Sequence, residues 1–472
     1  MKKIWLLSFL TCAFLWVNGQ EINKAVRISG NAGFLKDGDS VSLKIYKYGI
    51  INQEPSFQEN LTVTAQNHQF KFVVPGKSYP QYINLTFKEH SANNLYYYVI
   101  AGGDDIELDF GNELVIEGKK SANFNIQRLI RQIEEHYNRT HKQPNLTAFT
   151  LEKIFNDLDS LADVQQKFLS SKRNEISGEM FQFLRTNIEA TAQWTKYYDL
   201  TWTSPVYRDS SINPLIGSVK EYQQKHGNRI MPFDSVACYN SFFTQYLIEK
   251  YKVDSCLLKN KPFDVVSCLD FLMRNYKGML REQLITTLIT TAKSFPAGLN
   301  QKINKALSVT TNTNYSRVLL EISKTRFEGA NAVDFSFQNP SGRLVKASDF
   351  KGQVLIVDFW YTGCGNCREL APFMKKIEQD FTGKPVRFIS VSIDKNKEQW
   401  LNSVKGGQYV SPEIVNLYTA GKGDKDKSLL QLRINSYPTL LLITKSGSMV
   451  NLTTDPRLDN GHELSMLIQK QL

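Results

Sequence analysis

The chain has 472 residues, of which 42% are hydrophobic, 12% aromatic and 22% charged. This apolar content suffices for several cores and excludes disorder as the overall state, and at roughly 150 residues per domain the length predicts about three domains. Six cysteines are too few for a scaffold built on disulfides. The formal net charge is +11, but no run of five basic residues and no nucleic-acid motif accompanies it, so we do not expect nucleic acid as a partner.

The N-terminus has the pattern of a secretory signal peptide. Lys2 and Lys3 precede an apolar stretch over residues 4–17, and Gly19 offers a small residue for cleavage. We therefore predict a signal peptide over residues 1–19 and an exported, periplasmic protein. The apolar stretch is shorter than the ~20 residues that span a bilayer, and Cys12 lacks the small preceding residue of a lipidation site, so neither membrane anchoring nor lipidation is favoured.

Residues 20–120 alternate between apolar and polar side chains. The alternation has period two in five segments, which are 26–30, 40–46, 69–74, 83–87 and 106–110. Gly, Asn, Asp and Pro punctuate the gaps between them. Short strands separated by turn residues predict an N-terminal β-sandwich domain over residues 20–120.

Residues 121–328 lose this alternation and show helical spacing. Apolar residues recur three and four positions apart, as in Phe124, Ile126, Leu129, Ile130 and Ile133. The spacing predicts a central all-α domain of about 200 residues. Three cysteines, at positions 238, 256 and 268, lie in this domain. Two predictions are kept for them, a Cys256–Cys268 disulfide or buried thiols.

From residue 333 the pattern becomes that of an α/β domain. The run 354–360 is continuously apolar and of strand length, which suits a central strand covered on both faces. A helix is expected over 364–381, a second buried strand over 386–393, a hairpin over 439–452 and a last helix over 461–472.

Two cysteines lie where the first of these strands meets the following helix, in the motif Cys364-Gly365-Asn366-Cys367. Two intervening residues let the sulfurs reach disulfide distance across the first helical turn. The helix N-terminus stabilises an anion and lowers the pKa of a thiol there, so we expect Cys364 to be the attacking thiolate and Cys367 the resolving thiol. Gly365 and Asn366 then tune the stability of the thiolate.

Two other uses of the cysteine pair are not favoured. A zinc site needs more ligands, and after Cys367 the chain offers only His462. A purely structural disulfide is the second alternative. We predict no metal and no cofactor.

Residues 333–472 resemble the exported TlpA/ResA-like thiol–disulfide oxidoreductases of the thioredoxin superfamily. The resemblance rests on the strand 351–360, on the Cys364–Cys367 motif, on Pro372 in the following helix and on Tyr437-Pro438-Thr439, which is similar to the cis-proline loop of that family. These features stand in the family's order and spacing. The resemblance implies a C-terminal α/β domain of thioredoxin-like fold.

The resemblance also implies roles for residues around the cysteines. Pro438 is expected to be cis and to align the backbone of Tyr437 and Thr439 for pairing with a substrate chain. Trp360 is expected to border the substrate groove, with core packing as the alternative.

Asp358 lies six residues before the first cysteine, where thioredoxins have a buried acid. It is expected to accept the proton of Cys367, with a structural acid as the alternative. Two positions depart from the family pattern. Gly363 replaces a common tryptophan, and Ser390 stands where thioredoxin has a lysine opposite the acid.

The function that the resemblance implies is that of a protein disulfide reductase. Its partners are then disulfide-containing protein substrates and an external thiol electron donor, and a homodimer is retained as a possibility. A thiol oxidase, a thiol peroxidase and a binding or scaffold protein with a secondary redox site are the alternatives. The roles of residues 20–328 are not indicated.

Overall fold

The structure is a computed structural model of the chain. It describes residues 25–49, 54–141, 144–203, 214–227, 231, 236–292, 295–296, 298–325, 327–434 and 436–472, so the predicted signal peptide lies outside the described residues. Within these ranges no helix combines the length and the apolar character that a bilayer crossing requires. The described residues form two compact units, one within 1–52 and 56–262 and the other within 53–55 and 263–472.

The first unit contains two four-stranded sheets. Their strands are β1 (Val26–Ala32), β2 (Ser40–Tyr46), β3 (Gln58–Thr64), β4 (Gln69–Val74), β5 (Gln81–Phe87), β6 (Leu95–Ile100), β7 (Asp105–Phe110) and β8 (Leu114–Glu117). One sheet has the order β4-β1-β7-β8 and the other β3-β2-β5-β6. Because alternate residues of a strand face opposite sides, one set of side chains turns inward, and residues of both sheets, including Ile28 and Leu43, form one hydrophobic core.

Among the described residues of the first unit, five α-helices accompany the sheets. They are α1 (Ala122–Thr140), α2 (Leu151–Ser171), α3 (Gly178–Thr203), α4 (Pro214–His226) and α5 (Ser241–Tyr251). The Asn240 side chain caps α5 by accepting the backbone N–H of Phe243 at 3.0 Å. Cys238 and Cys256 are buried thiols of this unit.

From residue 263 to 325, the described residues of the second unit include four α-helices. They are α6 (Val265–Asn275), α7 (Gly278–Thr291), α8 (Leu299–Leu307) and α9 (Thr313–Thr325). The buried Glu282 accepts the backbone N–H groups of Thr311 and Asn312 at 3.0 and 2.9 Å, which joins α7 to the connection between α8 and α9. Cys268 is a buried thiol on α6.

A seven-stranded sheet follows in the second unit. Its strands are β9 (Ser336–Gln338), β10 (Leu344–Lys346), β11 (Val354–Trp360), β12 (Val386–Ser392), β13 (Val415–Tyr418), β14 (Thr439–Ile443) and β15 (Met449–Val450). They stand in the order β10-β9-β13-β12-β11-β14-β15. β11, β12 and β13 are parallel, and β14 runs antiparallel to β11. The central strand β11 is buried at every residue, as its continuous apolar run predicts.

Helices cover both faces of this sheet. They are α10 (Gly365–Asp380), α11 (Lys397–Gly406), α12 (Lys427–Leu432) and α13 (His462–Gln471). Ile356 of β11 packs with Ile377 of α10 and Ile468 of α13 in one core. Val357 packs with Leu429 of α12 in the other. This layering places the N-terminus of α10 at the carboxyl end of the most buried strand.

Candidate redox site

The two cysteines of the motif form a disulfide at the N-terminus of α10. Cys364 is the N-cap residue, and its Sγ accepts the backbone N–H of Cys367 at 3.1 Å. The two Cα atoms lie 5.2 Å apart. A helix N-terminus carries unsatisfied N–H groups and a partial positive charge. The same arrangement would stabilise a thiolate on Cys364 once the disulfide is reduced.

Hydrogen bonds hold the short connection between β11 and α10 in place. Thr362 donates its backbone N–H and its hydroxyl to the carboxylate of the buried Asp394, at 2.9 and 2.8 Å. Gly363 donates its N–H to the Tyr409 hydroxyl at 3.0 Å, and its φ of +99° lies in the region that favours glycine. Glycine therefore suits the backbone conformation at this position, in a loop that hydrogen bonds hold in place.

An aromatic cluster surrounds the disulfide. Cys364 and Cys367 are 3% and 2% exposed, and they pack with Trp360 and Trp400. Trp360 has no exposed surface, and its ring stacks on Tyr409 with centroids 5.1 Å apart. A contribution of Trp360 to a substrate groove would therefore be indirect, because it supports residues that line the surface.

The loop before β14 lies beside the same cluster. The Tyr437–Pro438 peptide bond is cis, as the resemblance implies. The Tyr437 ring packs against the cysteine cluster and meets the exposed Tyr361 edge-on, with centroids 5.7 Å apart. Thr439 pairs with Phe359 of β11. Burial raises the pKa of Tyr437, so its hydroxyl stays neutral.

Asp358 is a buried carboxyl two residues before the end of β11. Its Oδ1 has no hydrogen-bond partner among the described residues, and its burial raises the pKa to about 7, to which the charge of Glu378 adds. Asp358 and Glu378 line the same cavity of about 10 Å³. Ser390 pairs with Asp358 across the sheet, but its hydroxyl donates to Asn416 at 2.7 Å. Asp358 can therefore exchange a proton near neutral pH.

Four residues near the site have no signal in the local sequence. Tyr409 and Asp394 hold the loop before Cys364, Glu378 shares the cavity of Asp358, and Arg457 contacts Asn366 inside the motif at 3.2 Å. Each of them is distant in sequence from the group that it contacts, or lies on a different secondary-structure element. No motif or periodicity marks them, because their proximity arises from the packing of the sheet and its helices.

The structure also shows whether potential metal ligands lie close together. In the part of the chain that the structure describes, no three His, Cys, Asp or Glu residues are grouped so that they could hold a metal ion.

Together, the mixed sheet, the disulfide at the start of α10 and the cis-proline loop define a thioredoxin-like domain. The family profile described as "Thioredoxin-like" matches residues 352–449. The C-terminal part of the chain is accordingly a thioredoxin-like domain of the thiol–disulfide oxidoreductase class.

The chain is also similar to several proteins of known name. The thiol-disulfide oxidoreductase ResA of Bacillus subtilis (strain 168) is 26% identical over 128 residues, which are 27% of this chain and 67% of ResA. The thioredoxin-like protein YneN of the same strain is 27% identical over 122 residues, 25% of this chain and 67% of YneN. Among solved structures, the thioredoxin domain of a thiol-disulfide oxidoreductase from Bacteroides vulgatus is similar, with 24% identity and a TM-score of 0.27 over 30% of this chain and 96% of that one.

Proposed function

We propose that this protein is an exported protein disulfide reductase that works through the Cys364–Cys367 dithiol/disulfide couple. The observation that supports it is the cysteine pair at the N-terminus of α10, in which Cys364 Sγ already accepts a backbone N–H. One of the named relatives, ResA, is a thiol-disulfide oxidoreductase.

The proposed cycle begins with the reduced pair. The Cys364 thiolate attacks one sulfur of a substrate disulfide, and the other substrate sulfur leaves as a thiolate. Cys367 then loses its proton and attacks Cys364 Sγ, which breaks the mixed disulfide and releases the second substrate thiolate. Two electrons have passed to the substrate, and an external dithiol donor restores the pair by the reverse exchange.

Side chains around the couple would assist two of these steps. Asp358, whose pKa is about 7, would accept the proton of Cys367 as a general base. The backbone of Tyr437, Pro438 and Thr439 would align an extended substrate segment beside the disulfide. The buried Trp360 would support this surface by packing against residues that line it, such as Tyr409.

The remaining parts of the proposal concern location and organisation. We infer a periplasmic protein with a cleaved signal peptide over residues 1–19, a β-sandwich domain over 20–120, a helical domain over 121–328 and the redox domain over 333–472. Its partners would be proteins that contain disulfides and a thiol electron donor, and the N-terminal domains would hold the substrate or a second copy of the chain.

Cysteine substitutions test the proposed cycle. Cys367→Ser should accumulate a mixed disulfide with a disulfide-containing protein such as insulin, because the attacking thiol remains and the resolving thiol is lost. Cys364→Ser should form none, and both variants should lose insulin reduction. Non-reducing gel electrophoresis and a turbidity assay measure these outcomes. Cys238→Ala, which alters a buried thiol of the other unit, is the matched control and should keep full activity.

The same variants separate the alternatives. Peroxide turnover that survives Cys367→Ser would indicate a peroxidase. A reduction potential near about −120 mV, rather than near about −270 mV, would indicate an oxidase. Wild-type cellular function in both cysteine variants, together with its loss on deletion of the N-terminal domains, would contradict the proposal in favour of a scaffold.

A further inference from the structure

Arg457 contacts the residue between the two cysteines. Its Nη1 lies 3.2 Å from the side-chain Oδ1 of Asn366 and 3.5 Å from its backbone oxygen. Asn366 stands in the first turn of α10, next to Cys367 and two residues after Cys364. Arg457 lies on the loop between β15 and α13, 91 positions away in the sequence. A guanidinium group thus bridges the redox motif to a distant loop.

The guanidinium is itself held in a fixed orientation. Its Nε and Nη2 donate to the two carboxylate oxygens of Asp455 at 3.0 and 2.6 Å. Nη1 also lies 3.3 Å from Glu369 on α10. A bidentate carboxylate restrains the planar fork of an arginine, and the Arg457 side chain is only 24% exposed. This arrangement keeps Nη1 directed at Asn366.

The charges of this group act on the start of α10. Asp455 and Glu369 carry two negative charges and Arg457 one positive charge, beside the helix end where a thiolate would form. The hydrogen bonds that Arg457 donates to Asp455 raise the pKa of Arg457, so the guanidinium stays charged. Without it, the carboxylates of Asp455 and Glu369 would lose a cationic partner that also contacts Asn366. A nearby uncompensated negative charge disfavours a thiolate.

We propose that Arg457 is a positioning residue that stabilises the reduced, thiolate form of Cys364 by holding Asn366 and by offsetting the carboxylates of Asp455 and Glu369. A couple becomes more oxidising as its reduced form is stabilised. Arg457 therefore moves the reduction potential of the Cys364–Cys367 couple upward relative to the same fold without it. This inference rests on the proposed function, because it concerns the same couple.

The test compares the redox equilibrium of full-length variants with glutathione. Arg457→Met should shift the equilibrium constant toward the disulfide by about tenfold, which corresponds to about 30 mV for a two-electron couple. Asn366→Ala should shift it in the same direction, and the double variant should shift it no further than the larger single effect. Arg457→Lys, which keeps the charge without the fork, should fall between the wild type and Arg457→Met.

A second readout follows the thiolate directly. The pH midpoint of thiolate absorbance at 240 nm should rise in Arg457→Met, an effect that a merely structural role would not produce. Arg387→Met, which removes an exposed arginine at the other end of the same sheet, is the matched control and should change the equilibrium less than twofold.

The outcomes distinguish this inference from the proposed function. A wild-type protein without a measurable Cys364–Cys367 couple would contradict the proposed function itself. An intact couple whose equilibrium constant stays within twofold in both Arg457→Met and Asn366→Ala would overturn the role of Arg457. Additive effects of the two substitutions would also overturn it, because they would show that Arg457 does not act through Asn366.

Discussion

At the scale of single residues, burial has the largest effect on the pKa of Asp358. Asp358 lies in an apolar strand, and its Oδ1 receives no hydrogen bond from the described residues that would stabilise the carboxylate. Asp394, equally buried, instead accepts the N–H and hydroxyl of Thr362. The two buried aspartates thus have different tasks, since Asp394 anchors a loop and Asp358, whose pKa is raised, is able to exchange a proton.

The raised pKa of Asp358 makes a prediction about stability and pH. Below about pH 4 an aspartate is protonated in both folded and unfolded chains, so its titration does not change the free energy of unfolding. Between pH 4 and 7 the unfolded chain releases this proton while the folded chain, with a pKa of about 7, retains it. The free energy of unfolding therefore falls as the pH rises from 4 to 7, and the total loss reaches about 4 kcal/mol once the pH exceeds 7.

Asp358→Asn should remove this dependence. The melting temperature of the variant relative to the wild type should rise from pH 4 to pH 8, as measured by thermal unfolding of the full-length protein at both values. Asp380→Asn, an exposed aspartate at the end of α10, makes the same charge change and should show no such rise. A constant difference between Asp358→Asn and the wild type would show that the carboxyl titrates alike in both states.

At the scale of elements, the packing of α10 depends on how α13 begins. Gly461 is the N-cap residue of α13 with a φ of +76°. A Cβ atom there would lie 2.6 Å from Cδ1 of Ile377, a side chain of α10 that is 1% exposed in the core. The absence of a side chain at Gly461 therefore allows the two helices to approach on the same face of the sheet.

Two glycine substitutions separate backbone strain from this contact. Gly447 has a φ of +86° and would place its Cβ in open space, so Gly447→Ala should cost about 1–2 kcal/mol from the left-handed backbone alone. Gly461→Ala should cost about 1–3 kcal/mol more, because Ile377 must move in a packed core. Urea unfolding of the full-length variants measures both, and equal losses would contradict the close contact.

At the scale of the whole molecule, the residues proposed for the redox chemistry belong to one compact unit. The cysteine pair, Asp358, Arg457 and the cis-proline loop all lie within residues 263–472. The two sheets of residues 26–117 belong to the other unit. Reduction of the disulfide should therefore alter the stability of one unit and leave the other unchanged.

Calorimetry of the full-length protein tests this division. We expect two unfolding transitions, of which only one shifts when dithiothreitol is added. For a reductase the shift should be downward, because a couple with a low reduction potential has the more stable disulfide form. The Cys364→Ser/Cys367→Ser double variant should show no shift. An upward shift would support an oxidase, and a shift of both transitions would contradict the assignment of the couple to one unit.

The strands were predictable from the sequence where their residues alternate or where a run is wholly apolar. β2 and β4 have the predicted bounds, and β11 is buried along its length. Four strands, β3, β6, β8 and β13, were not predicted. β6 has the sequence LYYYVI, which does not alternate, and β3 is a partly exposed strand at the edge of its sheet. Pairing with neighbours, which periodicity does not encode, makes these segments strands.

The sequence by itself determined the thiol chemistry, because two cysteines three positions apart at a strand-to-helix junction specify their own geometry through local backbone structure. It also indicated Asp358, Pro438 and the strand that carries the motif. Only the tertiary structure decided that Trp360 is buried, that Glu378 shares the cavity of Asp358 and that Arg457 reaches Asn366. Local spacing reports neighbours within a turn or a strand, whereas burial and charge at a site depend on residues that the fold brings together from distant positions.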